Sequence, residues 1–362
     1  MHTIKHLELF SGIGGFHRAF DLLGKDLNFV PICIGFSEID SFATKTYKAN
    51  YDVSDSIEIG DIVSFAEDRM QVGSLPQFDF LTGGFPCQAF SMMGKKKGFK
   101  DQRGNVFFEI LKILKIKKPK YLLLENVRNI INHDNGRTFE TIVSSLKEVG
   151  YKYLYFDIFN SNNFGLAQTR NRVYIFASRS RMPSGFEFSE QIVLQAFNER
   201  ESNGSIEIQH DILDVLDKKV NEKYYLSDRI KPTILADGSA SFKANSTINN
   251  LVAKPLTATM VKMHRACQDN YFSDLFINSD DPYKFIKRNF SKDLLSQQAI
   301  RKLTPKEALL LQGFSSDFYE HARTVGISDH QLYKQAGNAA SVNTIYAILY
   351  YLLIKTDIMQ WR

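Results

Sequence analysis

The densest chemistry lies between residues 83 and 103. Gly83-Gly84-Phe85-Pro86-Cys87-Gln88 sets a cysteine in a loop constrained by glycine and proline. A lone cysteine is ordinarily a small buried hydrophobe, but this setting is unlike the interior of a helix or strand. Lys95, Lys96, Lys97, Lys100 and Arg103 follow closely. A positive field favours the nucleophilic thiolate; the same cations would meet phosphates, or simply solvate a loop. Glu125 ends the apolar run Leu122-Leu123-Leu124, where a carboxyl suits holding or donating a proton near neutrality. Arg170 and Arg172 stand two apart in Gln168-Thr169-Arg170-Asn171-Arg172, where a run of strand character starts. Their side chains are therefore expected on one face, able to bind a phosphate or stabilise charge on a base.

A second constellation is Phe10-Ser11-Gly12-Ile13-Gly14-Gly15, between a predicted strand and a predicted helix. Glycines there let a cofactor approach the backbone, and the helix start offers free N–H groups. A tight turn without a ligand explains the glycines equally well. Glu38 ends the next predicted strand, and Asp61 follows Gly60. Carboxylates so placed accept hydrogen bonds from ribose hydroxyls and an adenine amino group, the other reading being solvated turn carboxylates. The turn lacks the Lys-Ser/Thr pair of a triphosphate site.

The elements that must position these groups alternate. Predicted strands at residues 6–10, 31–36, 78–82, 121–124, 153–159 and 173–177 are interleaved with predicted helices at 15–23, 41–50, 106–116 and 138–149. This is the rhythm of a doubly wound α/β domain. From residue 184 to about 300 the chain is rich in Asn, Ser, Asp and Lys without sustained period, which predicts a second, smaller and irregular domain. Helical pattern returns after Thr304-Pro305 and again at 343–354, and that last helix needs the first domain's core to pack on. The expected division is therefore 1–183 with 301–362, and 184–300.

Composition narrows the class. With 362 residues, 44% hydrophobic and 23% charged, the chain is no disordered tail. A formal charge of +5 permits nucleic-acid binding without requiring it. Cys33, Cys87 and Cys267 are too few and too scattered for a disulfide framework, which points to a reducing compartment. The start has no signal-peptide pattern, and the apolar stretch at 345–354 is shorter than the ~20 residues of a membrane span. A soluble, cytoplasmic protein is expected. The eight histidines show no zinc-ligand spacing, so no metal is called for.

Taken together, the Phe-x-Gly-x-Gly turn, the Pro-Cys-Gln loop, Glu125-Asn126-Val127, the Gln-x-Arg-x-Arg strand and the late Gly337-Asn338 resemble the cytosine-5 DNA methyltransferases, in particular the compact bacterial modification enzymes of the HhaI type. The likeness runs over residues 7–177 and 301–353. It implies an S-adenosylmethionine-dependent methyltransferase sheet, Rossmann-like, with a target-recognition domain and double-stranded DNA in the cleft between the two. By resemblance, Phe10, Ser11, Gly12, Gly14, Gly15, Glu38, Ile39, Asp61, Ile62, Pro86, Asn338 and Ala339 would bind S-adenosylmethionine, leaving S-adenosylhomocysteine as product. Cys87 would be the nucleophile, Glu125 would contact the cytosine N3 and amino group, Arg172 its O2, and Arg170 would support the site. DNA contacts would come from Gln88, Ser91, Met92, Met93, Lys95, Lys97, Arg103, Thr257, Lys262 and Arg265. Residues 239–246 and 257–265 are the expected base readers, and residues 90–103 an expected lid over the flipped base. Ala339-Ala340 depart from the larger or hydroxylated residues frequent after Gly-Asn, which touches only the methionine side of the pocket.

The resemblance further implies a monomer in a bacterium or phage, with a restriction endonuclease acting on the same sequence without a stable complex. A tRNA cytosine methyltransferase on the same scaffold is the closest alternative. The long variable region before Arg301 and the absence of that branch's Cys-Phe-Thr marker favour DNA. A non-catalytic DNA-binding relative would lack the cysteine or the glutamate, and both are present.

Overall fold

The computed structural model describes residues 2–86, 106–200, 202, 204–236, 238–239, 242–243, 246–262, 264, 267–288 and 290–360. Two compact units share the chain. Unit 1 is Met1–Asn160, Asn171–Ile206 and Ala340–Arg362; unit 2 is Ser161–Arg170 and Glu207–Ala339.

Unit 1 is built on one seven-stranded sheet in the order β3-β2-β1-β4-β5-β7-β6. Its strands are β1 (His2–Leu9), β2 (Phe29–Ser37), β3 (Ile57–Glu58), β4 (Phe80–Gly84), β5 (Tyr121–Val127), β6 (Tyr153–Asn160) and β7 (Asn171–Ser178). The first five are parallel, and β7 runs antiparallel between β5 and β6. Helices α1 (Gly15–Leu27), α2 (Ser41–Asn50), α3 (Ile62–Glu67), α4 (Arg69–Ser74), α5 (Val106–Lys117), α6 (Arg137–Glu148) and α7 (Glu190–Asn198) belong to this unit. Asp40, Asp61 and Asp68 cap α2, α3 and α4 by accepting from backbone N–H groups one or two residues into each helix, which satisfies donors the helix itself leaves open.

The alternation along β1 sends its residues to opposite faces. Leu7 and Leu9 join a core with Ile62, Phe65, Phe107, Ile110, Leu122, Leu124 and Ile142. His6 and Glu8 point the other way, His6 stacking on Phe20 of α1 at 4.4 Å. On that side the final helix Val342–Tyr350 packs against α1 and α7, burying every residue from Val342 to Leu349. A helix buried all round needs no amphipathic stripe. The helical run Asp329–Lys355 is long and apolar enough by composition to cross a membrane, more than the stretch at 345–354 suggested; 78% of its most apolar window is buried inside the protein.

The compact units divide the chain at other residues than its texture does. Residues 184–206 belong with unit 1, because Ser189 caps α7 and the spacing of Val193, Ala196 and Phe197 buries one face of that helix. Residues 301–339 and 161–170 belong with unit 2. There the strand Ile300–Lys302 pairs with Tyr271–Ser273, and Gln168 bridges to Ala253. Unit 2 also holds a small core of Leu226, Ile234, Leu235, Tyr271 and Ile300.

Candidate active site

The parallel strands of unit 1 end at one edge, and the residues singled out above follow those ends. After Leu9 the chain turns through Phe10, whose φ of 53° is left-handed and unusual for an aromatic residue. Ser11 N–H donates to the Ser37 carbonyl at the end of β2 (2.9 Å) and Gly14 N–H to the Ser11 carbonyl (2.8 Å). Gly14 (φ 84°) must be glycine, since a Cβ would lie 2.4 Å from the Tyr51 ring. Gly15 opens α1 against the Ala340 carbonyl, which a Cβ would meet at 2.6 Å.

Glu38 leaves β2 and folds back over this turn. Its Oε2 accepts from Gly12 N–H (2.9 Å), and its Oε1 from Ile39 and Asp40 N–H (2.9 and 2.8 Å). One acceptor direction on Oε2 stays available, because a carboxylate oxygen takes two bonds. Asp61 uses Oδ1 to cap α3 through Val63 N–H (2.9 Å). Ile39 is 78% exposed, whereas Ile62 is buried. These features fit a ribosyl-adenine group: a glycine turn open at Gly12, where nothing lies within 4 Å of a built Cβ, and a buried Ser11 hydroxyl without a partner among the described residues. Around them stand two carboxylates and an uncovered apolar side chain. Asn338 and Ala339 belong to unit 2, Asn338 exposed at the end of the helix Asp329–Asn338 and Ala339 buried.

At the end of β4, Gly84 pairs with Glu125 of β5; a Cβ on Gly84 would stand 3.1 Å from Glu125 Oε2. Because β7 is antiparallel to β5, its first residues arrive beside the last residues of β5, with Val127 opposite Arg172 and Glu125 opposite Tyr174. Directly opposed residues share a face. Arg172 Nε thus reaches Glu125 Oε1 at 3.0 Å, in a setting where both side chains are mostly buried. Asn126 donates from Nδ2 to the Phe85 carbonyl at 2.7 Å and accepts Val127 N–H, which ties β5 to the chain just before the exposed Pro86. A positive–negative pair anchored on two strands can hold a planar polar ring by its acceptor and donor edge.

Arg170 does not share a strand face with Arg172. It precedes β7 and is buried in unit 2, where Nη1 donates to the Leu256 carbonyl (3.0 Å) and Nη2 to the Gly337 and Ala339 carbonyls (3.1 and 2.9 Å). The strand runs from Asn171, so Arg170 lies just outside it, and three carbonyl acceptors draw its guanidinium inward. Thr257 is half-buried and Lys262 exposed, within a turn closed by Met260 N–H on the Thr257 carbonyl. Cys87, Gln88, Ser91, Met92, Met93, Lys95, Lys97, Arg103 and Arg265 lie outside the described residues, as do the segment 90–103 read as a lid and residues 240, 241, 244 and 245 of the stretch 239–246.

Sequence reasoning missed the footing beneath the glycine turn. Glu8, fully buried, accepts from Phe16 N–H (3.3 Å) and from the Tyr47 hydroxyl (3.0 Å). Tyr51 donates to the Gly14 carbonyl at 2.7 Å, and His17 stacks on its ring at 4.2 Å. Burial pushes the Glu8 carboxyl up to about 8, against the lowering effect of its hydrogen bonds; burial also pushes His17 down to about 4. An acid inside an apolar strand, and two tyrosines four apart with Tyr47 in α2 and Tyr51 just past its end, were the available signals.

A family profile, C-5 cytosine-specific DNA methylase, matches residues 4–353. The chain is 37% identical over 352 residues to the Type II methyltransferase M1.ScrFI of Lactococcus lactis subsp. cremoris, covering 95% of this chain and 76% of that relative. It is 36% identical to the Type II methyltransferase M.SsoII of Shigella sonnei, over 94% of this chain and 78% of that one. Among solved structures, the Entamoeba histolytica methyltransferase EhMeth matches with a TM-score of 0.72 at 23% identity, covering 98% of this chain and 99% of that one. The S. pombe Dnmt2 methyltransferase matches with 0.68 at 21%, over 97% and 98%. Those two likenesses concern the fold.

Proposed function

The chain belongs to the C-5 cytosine-specific DNA methylase family, and from that premise we propose which of its residues carry the reaction. The activity is that of a DNA (cytosine-5-)-methyltransferase with S-adenosylmethionine as methyl donor. Relatives named as Type II methyltransferases support reading it as a modification methylase of a restriction–modification system. A partner endonuclease acts on the same DNA sequence without a stable complex, and the methylase works as a monomer in the cytoplasm of a bacterium or a phage host.

Cytosine C5 is a weak nucleophile, so electron density must first be pushed onto it by addition at C6. Cys87, in the loop that Asn126 tethers at Phe85, supplies that thiolate. Charge then builds on the ring, and the Glu125 carboxyl bonds N3 and the exocyclic amino group while the Arg172 guanidinium meets O2. S-adenosylmethionine, when bound, supplies an electrophilic methyl group on a sulfonium. C5 would take that methyl, the thioether S-adenosylhomocysteine being the leaving group; loss of the C5 proton then frees the electron pair that reforms C5=C6 and expels the Cys87 thiolate, restoring the aromatic ring. Phe10, Gly12, Gly14, Glu38 and Asp61 hold the donor's adenosine side, with Ser11, Gly15, Ile39, Ile62 and Pro86 around it, and Asn338 and Ala339 its methionine side. The target base must leave the helical stack to expose both faces. Gln88, Ser91, Met92, Met93, Lys95, Lys97 and Arg103, with Thr257, Lys262 and Arg265, contact the opened duplex.

The observation that carries this assignment is the Glu125–Arg172 pair at 3.0 Å, set on β5 and β7 beside the end of β4. Duplex DNA carrying 5-fluorocytosine at the site found methylated by bisulfite sequencing should trap a denaturation-resistant complex with the wild type, because fluorine blocks the final elimination. Cys87→Ala should trap none. Glu125→Gln should bind the duplex yet lose roughly a hundredfold or more in kcat. Trapping by Cys87→Ala would remove Cys87 from the mechanism.

A further inference from the structure

Arg170 and Gln168 together grip both backbone polar groups of one residue, Leu256. Gln168 Oε1 accepts from Leu256 N–H at 2.8 Å, and Arg170 Nη1 donates to the Leu256 carbonyl at 3.0 Å. Both side chains are buried, Gln168 completely. The backbone around them is held as well: Ala253 N–H donates to the Ala167 carbonyl (2.7 Å) and Thr169 N–H to the Ala253 carbonyl (2.9 Å). The segment 253–256 is therefore a short ladder laid along 167–170. From its other nitrogen Arg170 donates to the Gly337 and Ala339 carbonyls, the last turn of the helix Asp329–Asn338.

Gly337 brings the same two segments into direct contact. A Cβ there would lie 2.2 Å from the Thr257 carbonyl carbon and 2.3 Å from Ala258 N, so only glycine lets the backbone of 257–258 rest on that helix end. Gln168 Nε2 extends the brace to the Leu311 carbonyl (2.9 Å), and Gln312 Nε2 donates to the Ala336 carbonyl (2.7 Å). Beyond the brace, both segments present polar groups outward: Thr257 and Thr259 from one, Asn338 from the other.

We propose that Arg170, with Gln168, is a positioning residue that couples the backbone of 256–258 to the Gly337–Asn338–Ala339 turn, so that cofactor binding at the turn strengthens DNA binding at the loop. The inference rests on the reading above, in which the turn takes S-adenosylmethionine and Thr257 meets DNA. Each segment, if independent, must lose its own conformational freedom when its ligand binds. A planar guanidinium bonded to carbonyls of both fixes their relative position, so the ordering cost met by the first ligand is spared the second. The coupling is reciprocal by linkage. A lysine keeps the charge but cannot reproduce the fork.

The test compares duplex affinity with and without S-adenosylhomocysteine. In the wild type the product should tighten binding of a duplex carrying the methylated site roughly fivefold or more. In Arg170→Lys, and in Gln168→Met, the tightening should fall below about twofold, even where affinity for S-adenosylhomocysteine alone is kept. Hydrogen exchange on the wild type guards against a variant that does not fold: S-adenosylhomocysteine without DNA should slow exchange across residues 253–262. Undiminished tightening in Arg170→Lys overturns the proposal, and so does unchanged exchange in 253–262 in a wild type that binds the product and methylates DNA. A wild type that binds S-adenosylhomocysteine but never methylates cytosine would refute the functional reading, and the proposal with it.

Discussion

Two buried carboxylates of unit 1 have opposite settings. Glu125 faces the Arg172 guanidinium at 3.0 Å. Glu8 has no cation among its hydrogen-bond partners; it takes Phe16 N–H and the Tyr47 hydroxyl, with Asp21 adding repulsion. Burial first of all pushes Glu8 from its ordinary 4.5 up to about 8. With a folded value above the unfolded one, its contribution to stability is fully present below about pH 4.5 and is lost as pH rises through about 8. His17 has the reverse sign: burial lowers it to about 4, so its contribution is present above about pH 6.5 and is lost as pH falls through about 4. Glu8→Gln should therefore flatten the decline of Tm between pH 5 and 9 and leave the acid side unchanged. Calorimetry showing the same alkaline slope in the variant would mean that another group titrates. Asn126 belongs at this scale too, since it was visible in Glu-Asn-Val yet only the fold reveals its bond to Phe85.

Among the elements, the helix Pro305–Leu310 shows how a local signal and a distant one combine. Thr304 Oγ1 accepts Glu307 N–H (3.2 Å) and Glu307 Oε2 accepts Thr304 N–H (2.7 Å), the reciprocal cap that Thr-Pro-x-Glu promises. Nothing local foretells that Arg301 places Nη1 and Nη2 on the same carboxylate at 2.9 and 2.8 Å, with both residues fully buried. Arg301 also donates to the Asp217 carbonyl, and Asp217 N–H donates to Glu307. Removing the cap should cost about 1 kcal/mol. Glu307→Gln leaves a buried guanidinium without its counter-charge and should cost ~3–5 kcal/mol. Urea denaturation of Thr304→Ala and Glu307→Gln distinguishes them; equal losses would mean that the ion pair is not desolvated as its burial implies. The predicted strands and helices of unit 1 formed for the reasons read from them, apolar alternation and spacing, but β3, α3 and α4 are short and carry too few periodic residues to be seen, and α7 falls in the polar stretch from residue 184 that reads as irregular.

At the scale of the whole molecule, the division between the units matters to any exchange of target specificity. Replacing residues 207–300 with those of a relative should move the methylated sequence while keeping the Tm of the catalytic unit. Starting the exchange at 184 should lower it, because Val193, Ala196 and Phe197 of α7 are buried and α7 packs on the final helix. Bisulfite sequencing of host DNA reads the first outcome and thermal melting the second; an unchanged target would place recognition elsewhere. Residue type and spacing alone determined the family, the strand-end positions of the glycine turn and Glu38, and the alternation that makes a doubly wound sheet. Those are local properties, written in turns, caps and hydrophobic period. Tertiary structure decided what joins segments far apart in the chain. It made β7 antiparallel, which carries Arg172 to Glu125, and it drew Arg170 away to clamp Leu256 and Gly337. It set Glu8 under the glycine turn and returned the last helix to α1. Each of these depends on which surfaces remain to be buried once the local elements exist, and no window of neighbouring residues contains that information.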